Sequence, residues 1–212
     1  NGTGNGGGIY MDISNQSATI TDSTITNNHA ENGGGVYLAS AVARPAAFSR
    51  LTITGNQADN QGGGIYVAGA DLTLGYSRLV GNTAGSGAGL YRSTSTGTTV
   101  AERNWWGCNG GPSAAPCDTA VTSAAGLDYD PWLGCGNAAA TATINVGGNA
   151  TLTAGFLYDS AAAAIPSPGT NLTALDGLPV TWSGEVHGVL SGQQANTASG
   201  GAATATLTND NT

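Results

Sequence analysis

The chain has 212 residues with five arginines, no lysine and thirteen acidic residues, a formal net charge of -8 that points away from nucleic acid and anionic membrane surfaces. Its 35 glycines, set among abundant Ala, Thr, Ser and Asn, disfavour helix and favour turns and strands, so an all-β fold is expected. No apolar run approaches the ~20 residues of a membrane-spanning helix. The opening stretch NGTGNGGG lacks the charged and apolar regions of a signal peptide and reads as the middle of a repeat, so the chain is expected to begin inside a larger or processed protein.

Four near-copies of one phrase follow: NGGGIYMDI from Asn5, NGGGVYLAS from Asn32, QGGGIYVAG from Gln61 and SGAGLYRST from Ser86. Their first glycines, Gly6, Gly33, Gly62 and Gly87, lie 27, 29 and 25 residues apart, and an asparagine (Asn1, Asn28, Asn56, Asn82) stands five or six residues before each. Strand-like runs fill the intervals at 18–30, 49–58 and 70–84, so each unit reads as three short strands joined by small-residue corners. A propeller blade takes about 40–50 residues and four antiparallel strands, more than these units supply. A right-handed parallel β-helix with one coil per repeat fits, its coils stacked ~4.8 Å apart. In that arrangement Ile9, Val36, Ile65 and Leu90 stack inward, Tyr10, Tyr37, Tyr66 and Tyr91 form a ladder on the opposite face, and the asparagines stack in a turn. The glycines let the backbone turn or approach a neighbouring coil.

The repeated GGGIY…LTI…GN.A pattern over residues 1–97 resembles the parallel β-helix repeats of bacterial surface and secreted proteins, including polymorphic outer-membrane-type proteins, adhesins and some polysaccharide lyases. The resemblance implies a fold. It does not choose among adhesion, lyase activity and a structural role, all of which that scaffold hosts.

The period breaks at RNWWGCNGGPSAAPCDTAV (103–121), closed by LDYDPWL (127–133), an arrangement similar to the terminal segment that follows such β-helices. Trp105, Trp106 and Trp132 are read as a cover for the exposed end of the coil stack, with a sugar-binding platform as the alternative. A Cys108–Cys117 bridge would close a short Pro/Gly-rich loop, as suits an exported protein; Cys117–Cys135 is the other possibility, and Cys135 is taken as the odd thiol, free or paired between chains. With no CxxC pair, and with His29 and His187 far away in sequence, zinc is not expected.

These features define a first domain over 1–135 and a second over 136–212. In the second, alternating runs at 149–158, 177–184, 188–192 and 201–209 read as strands of a β-sandwich. The DGLPVTWS…GVLS…TASGGAATATLT pattern resembles bacterial immunoglobulin-like modules, which continue for one or two strands beyond the last run here. Two explanations of that incompleteness stand open: a fragment of a longer polypeptide, or completion by a neighbouring subunit's strand.

Catalytic constellations are not evident. Asp12, Asp22, Glu31, Asp59 and Asp71 do not recur at one repeat position, Arg44, Arg50, Arg78 and Arg92 are scattered, and His29 is placed in a turn. Asp128 and Asp130 offer two alternate carboxylates, short of the six or more oxygens of a calcium site, so no cofactor is expected and calcium is a weak alternative. The expectation is a structural or adhesive module of an exported bacterial cell-surface protein, with self-assembly into head-to-tail filaments and cell-surface glycans as possible partners. The alternative is a carbohydrate-binding module or polysaccharide lyase acting through the β-helix flank.

Overall fold

The computed structural model describes residues 4–113, 115–183 and 188–210. The chain divides into two compact units, one ending at Leu133 and the other starting at Gly134. The first is a parallel β-solenoid of about four coils and the start of a fifth. One sheet is built from Ile9–Asp12, Val36–Ala39, Ile65–Ala68, Leu90–Arg92 and Ala120–Thr122, each strand pairing with its equivalent in the next coil. A second sheet stacks Ala18–Thr21, Pro45–Ser49, Asp71–Gly75, Thr99–Val100 and Leu127–Asp128, and a third stacks Thr24–Thr26, Thr52–Thr54 and Arg78–Val80.

Three strands per coil was the sequence expectation; the first two coils carry a fourth. His29–Asn32 pairs in parallel with Gln57–Gln61, so His29 lies in a strand and not in a turn. Periodicity misses this pair because its only well-buried residues are the small Ala30 and Ala58, which leave almost no apolar alternation to read.

Pairing is in register along the first three sheets, and slips by one residue only between Ala30 and Asn32 in the fourth pair. Ile9, Val36, Ile65, Leu90 and Ala120 are successive partners, and Val36, Ile65 and Leu90 are completely buried, whereas Ile9 in the first described strand is half-buried. With Leu38, Val67, Phe48, Leu72, Leu74, Ile53 and Leu79 they form one continuous core. The glycine triplets answer two separate steric demands. The first glycine of each has a left-handed backbone, φ 64° at Gly33 and 68° at Gly62. The second lets coils touch: a Cβ on Gly34 would lie 2.2 Å from the Gln57 carbonyl oxygen. A different corner, between the second and third sheets, turns through left-handed Asp22, Arg50, Tyr76 and Arg103 (φ 49°, 55°, 54° and 52°), each donating its N–H to the coil that follows.

The break in sequence period after residue 97 is not a break in the solenoid. Trp105 bridges Arg78, Ala120–Thr122 and Leu127–Asp128 add rungs to the first two sheets, and Leu133 N donates to Asn104 O. The extra residues form an excursion over 107–117, closed by the Cys108–Cys117 disulfide.

The second unit is a four-stranded antiparallel sheet in the order Leu133–Ala139, Asn149–Asp159, Ala202–Thr208, Val189–Ser191. The short helical turns Pro168–Asn171 and Thr173–Leu175 place Leu172 and Leu175 against Gly201 beside Phe156. The run expected as a strand at 177–184 pairs antiparallel with 195–197: Gly177 N donates to Thr197 O, Thr197 N to Leu178 O and Val180 N to Ala195 O, and Pro179 bridges Asn196. Residue 184 lies outside the described residues.

Replacing Ile65 by Asp should unfold the coil stack. An unpaired charge at a site with no exposure costs several kcal/mol against a total of about 5–15. Circular dichroism melting is the measurement, and an unchanged transition would refute the inward ladder's role.

Candidate functional site

The corner asparagines form a buried chain of hydrogen bonds. Asn56 Oδ1 accepts from both Asn28 N (3.1 Å) and Asn28 Nδ2 (3.0 Å), and Asn82 Oδ1 accepts in the same way from Asn56 N and Nδ2, both at 3.0 Å. Each amide also donates back, Asn56 Nδ2 to Ile25 O and Asn82 Nδ2 to Ile53 O. The next rung is Asp118, a residue that sequence reading passed over. Its carboxylate accepts from Asn82 N (3.0 Å), Asn82 Nδ2 (2.6 Å) and Gly81 N (2.9 Å). Burial pushes the Asp118 carboxyl above its ordinary value, opposed by these donors. Asn1, expected as a rung, lies outside the described residues.

A shorter ladder occupies the corner between the second and third sheets. Leu51 N donates to Ser77 Oγ (3.0 Å) and Ser77 N to Asn104 Oδ1 (2.8 Å), while Asn104 Nδ2 donates to the carbonyls of Leu74 and Ala101. Asn104, Ser77 and Leu51 are fully buried. The asparagine before the tryptophan pair therefore acts as an internal cap.

The tyrosines stack outward with ring centroids 5.4 Å apart for Tyr10 and Tyr37, 4.7 Å for Tyr37 and Tyr66 and 5.6 Å for Tyr66 and Tyr91. Ring planes differ by only 6°, 7° and 25°. Burial, and then the neighbouring Tyr66 and Tyr10, push the Tyr37 hydroxyl up. Because the inner rings use their faces on one another, Tyr37 and Tyr66 offer edges to solvent beside the exposed Tyr10, while Tyr91 is buried.

Beside this column lies a polar trough lined by Asn32, Asp59, Asn60, Gln61, Tyr66 and Ser86. Its side chains are braced across coils: His29 Nε2 lies 2.7 Å from Asp59 Oδ1, Asn60 Nδ2 donates to Glu31 Oε1 at 3.2 Å, and Asn32 Nδ2 donates to Asn5 Oδ1 at 3.0 Å. His29, Glu31 and Asp59, which looked unrelated in sequence, are thus brought together, whereas Asp12 and Asp22 are not part of the group. Asp22 instead binds Arg50 through two contacts of 2.7 and 2.6 Å, which hold its carboxyl below the ordinary range.

The remaining expected residues are structural in their surroundings. Trp106 is fully buried, and a Cβ on Gly89 would stand 2.9 Å from its ring. Trp132 lies across Gly111 and donates Nε1 to Asn109 O at 3.0 Å, while Trp105 is half-buried in the third sheet's extension. Cys135, outside the bridge, is exposed. Asp128 ends the strand Leu127–Asp128, and Asp130 N just beyond it donates to Asp128 Oδ1. Among the described residues no group of three or more potential metal ligands occurs, and no helix is long and apolar enough to cross a membrane.

The pattern of the Chlamydia polymorphic membrane protein repeat matches residues 22–39 and 50–68. Each match begins at the left-handed corner residue Asp22 or Arg50, runs through the asparagine rung and glycine triplet, and ends with the tyrosine-bearing strand. No curated protein and no solved structure matches the chain.

Asp118→Ala should cost on the order of 2–3 kcal/mol in denaturant unfolding, because the two buried donors of Asn82 and the part-buried Gly81 N–H lose their acceptor. Asp118→Asn should cost less, since one oxygen remains for the Asn82 donors. The raised carboxyl also fixes a pH dependence. Its folded value lies above the unfolded one, so its contribution is greatest below the unfolded pKa and falls as pH rises through the folded pKa. The stability of the native chain relative to Asp118→Asn should therefore decline as pH rises above the ordinary carboxyl value of about 4; a difference that rises with pH would contradict the assignment.

Proposed function

We propose that this chain is a structural or adhesive segment of a bacterial surface protein, in the manner of an outer-membrane or autotransporter passenger. The observation that carries the reading is the double match to the polymorphic membrane protein repeat, falling on consecutive coils of the solenoid. Polymorphic membrane proteins are proteins of the bacterial surface. The physical design suits display: the coils satisfy their corner amides internally, and their outer faces are built from Thr, Ser, Asn and Tyr side chains with few charges. We further propose that the chain acts by presenting this surface and not by catalysis. The His29–Asp59 contact is the one histidine–carboxylate pair among the described residues, and it joins two outward-facing side chains that brace neighbouring coils.

Brief protease treatment and antibody labelling of intact cells producing the full-length protein test the reading. Coil-specific antiserum should label unlysed cells, and protease should remove that signal while a cytoplasmic marker stays intact. Labelling that requires lysis would overturn it.

A further inference from the structure

Each coil carries a polar residue immediately before its glycine triplet, and these residues, Asn5, Asn32, Gln61 and Ser86, are register partners from coil to coil. The tyrosine five positions later forms its own column. Between the two columns stand glycines, with Ala88 as the one larger residue, and the alternating aliphatics point inward. Alongside these columns lies an open trough of about 610 Å³ lined by Asn32, Asp59, Asn60, Gln61, Ser86 and Tyr66.

We infer that the trough is a binding site for uncharged carbohydrate. A sugar offers adjacent hydroxyls, each both donor and acceptor, and the wall answers with planar amides, a carboxylate and a hydroxyl spaced along the coils. Asp59, Asn60 and Asn32 are already held by His29, Glu31 and Asn5, so less side-chain freedom is lost on binding. The Gln61 amide and the Ser86 hydroxyl make no side-chain hydrogen bond among the described residues and remain available. Charge decides the class of sugar. No cation lines the trough, Asp59 and the neighbouring Glu31 are acidic, and the chain carries -8 overall, so uronate or sialyl groups are repelled. The stacked tyrosines contribute edges and hydroxyls, which makes recognition depend on hydrogen bonds, and repetition along the axis lets a chain of sugars engage several coils at once.

This inference deepens the adhesive reading by supplying its ligand class, but its test is independent of location. The purified whole chain is titrated with cello-, chito- and manno-oligosaccharides and, separately, with polygalacturonate and sialylated oligosaccharides, with binding followed by NMR shifts and calorimetry. At least one neutral series should bind saturably and the acidic ones should not. Asn60→Ala/Gln61→Ala should weaken that binding at least about tenfold with an unchanged circular dichroism spectrum. Should the double variant lose its fold, the isosteric Gln61→Glu supplies the same comparison. Absence of saturable binding to every neutral series, preference for acidic sugars, or equal binding by the folded variants would overturn the site. Surface labelling of cells with failed sugar binding removes only this inference, and sugar binding by a chain that labels only after lysis removes only the surface reading.

Discussion

Parallel, in-register pairing of successive coils is the constraint on which the rest of this solenoid depends. Equivalent residues sit about 4.8 Å apart, so the nearest neighbour of any side chain is its own counterpart in the next coil. Columns must tolerate themselves. Aliphatics, stacked tyrosines and amides do, whereas a column of like charges would repel along its whole length. The 8% charged composition follows from this rule. Where charges do occur between coils they meet opposites or polar donors, as Asp22 with Arg50 and Asp71 Oδ1 with Thr98 N and Oγ1.

A ladder that satisfies itself internally needs a different residue at its end. The asparagine chain runs with every Nδ2 and N–H aimed at the next rung's oxygen, so the final rung must accept and need not donate. Asp118 meets that condition with two oxygens and takes a third donor from Gly81. The inward aliphatic column changes character at the same end. Met11, Leu38 and Val67 are followed by Arg92, which is fully buried and donates to the carbonyls of Ala125, Thr96 and Gly97. Burial pulls the guanidinium pKa down, and its Nε has no partner among the described residues. An aliphatic column thus gives way to a side chain that fastens two loops over the last coils.

The same geometry shapes the outer surface. Because the stack fixes the spacing of the polar column and of the tyrosines, the trough alongside them is a property of several coils and belongs to no single repeat. Its bracing contacts, His29 with Asp59 and Glu31 with Asn60, all join neighbouring coils. The repeated fold therefore supplies an ordered polar surface from residues that, in a single coil, would be ordinary solvated side chains.

Local pattern made much of this protein legible. The glycine phrases, their interval and the alternating TIT and LTL runs determined a coil, its inward aliphatics, its tyrosine column and its asparagine corner, because each of these repeats a short-range steric or amphipathic demand at a constant spacing. The short Cys108–Cys117 loop was legible as one of two possible pairings. What only the tertiary structure decided lies where partners are distant in sequence or chemically unlike. Asp118 joins an asparagine ladder 36 residues away from Asn82, and Arg92 sits in an aliphatic column. His29 belongs to a strand with one small inward residue, the excursion over 107–117 conceals a continuing coil, and short helical turns set Leu172 and Leu175 beside Phe156 in the C-terminal unit. In each case the determining contact is made by stacking or packing, and a periodic pattern cannot record a contact whose two sides do not resemble each other.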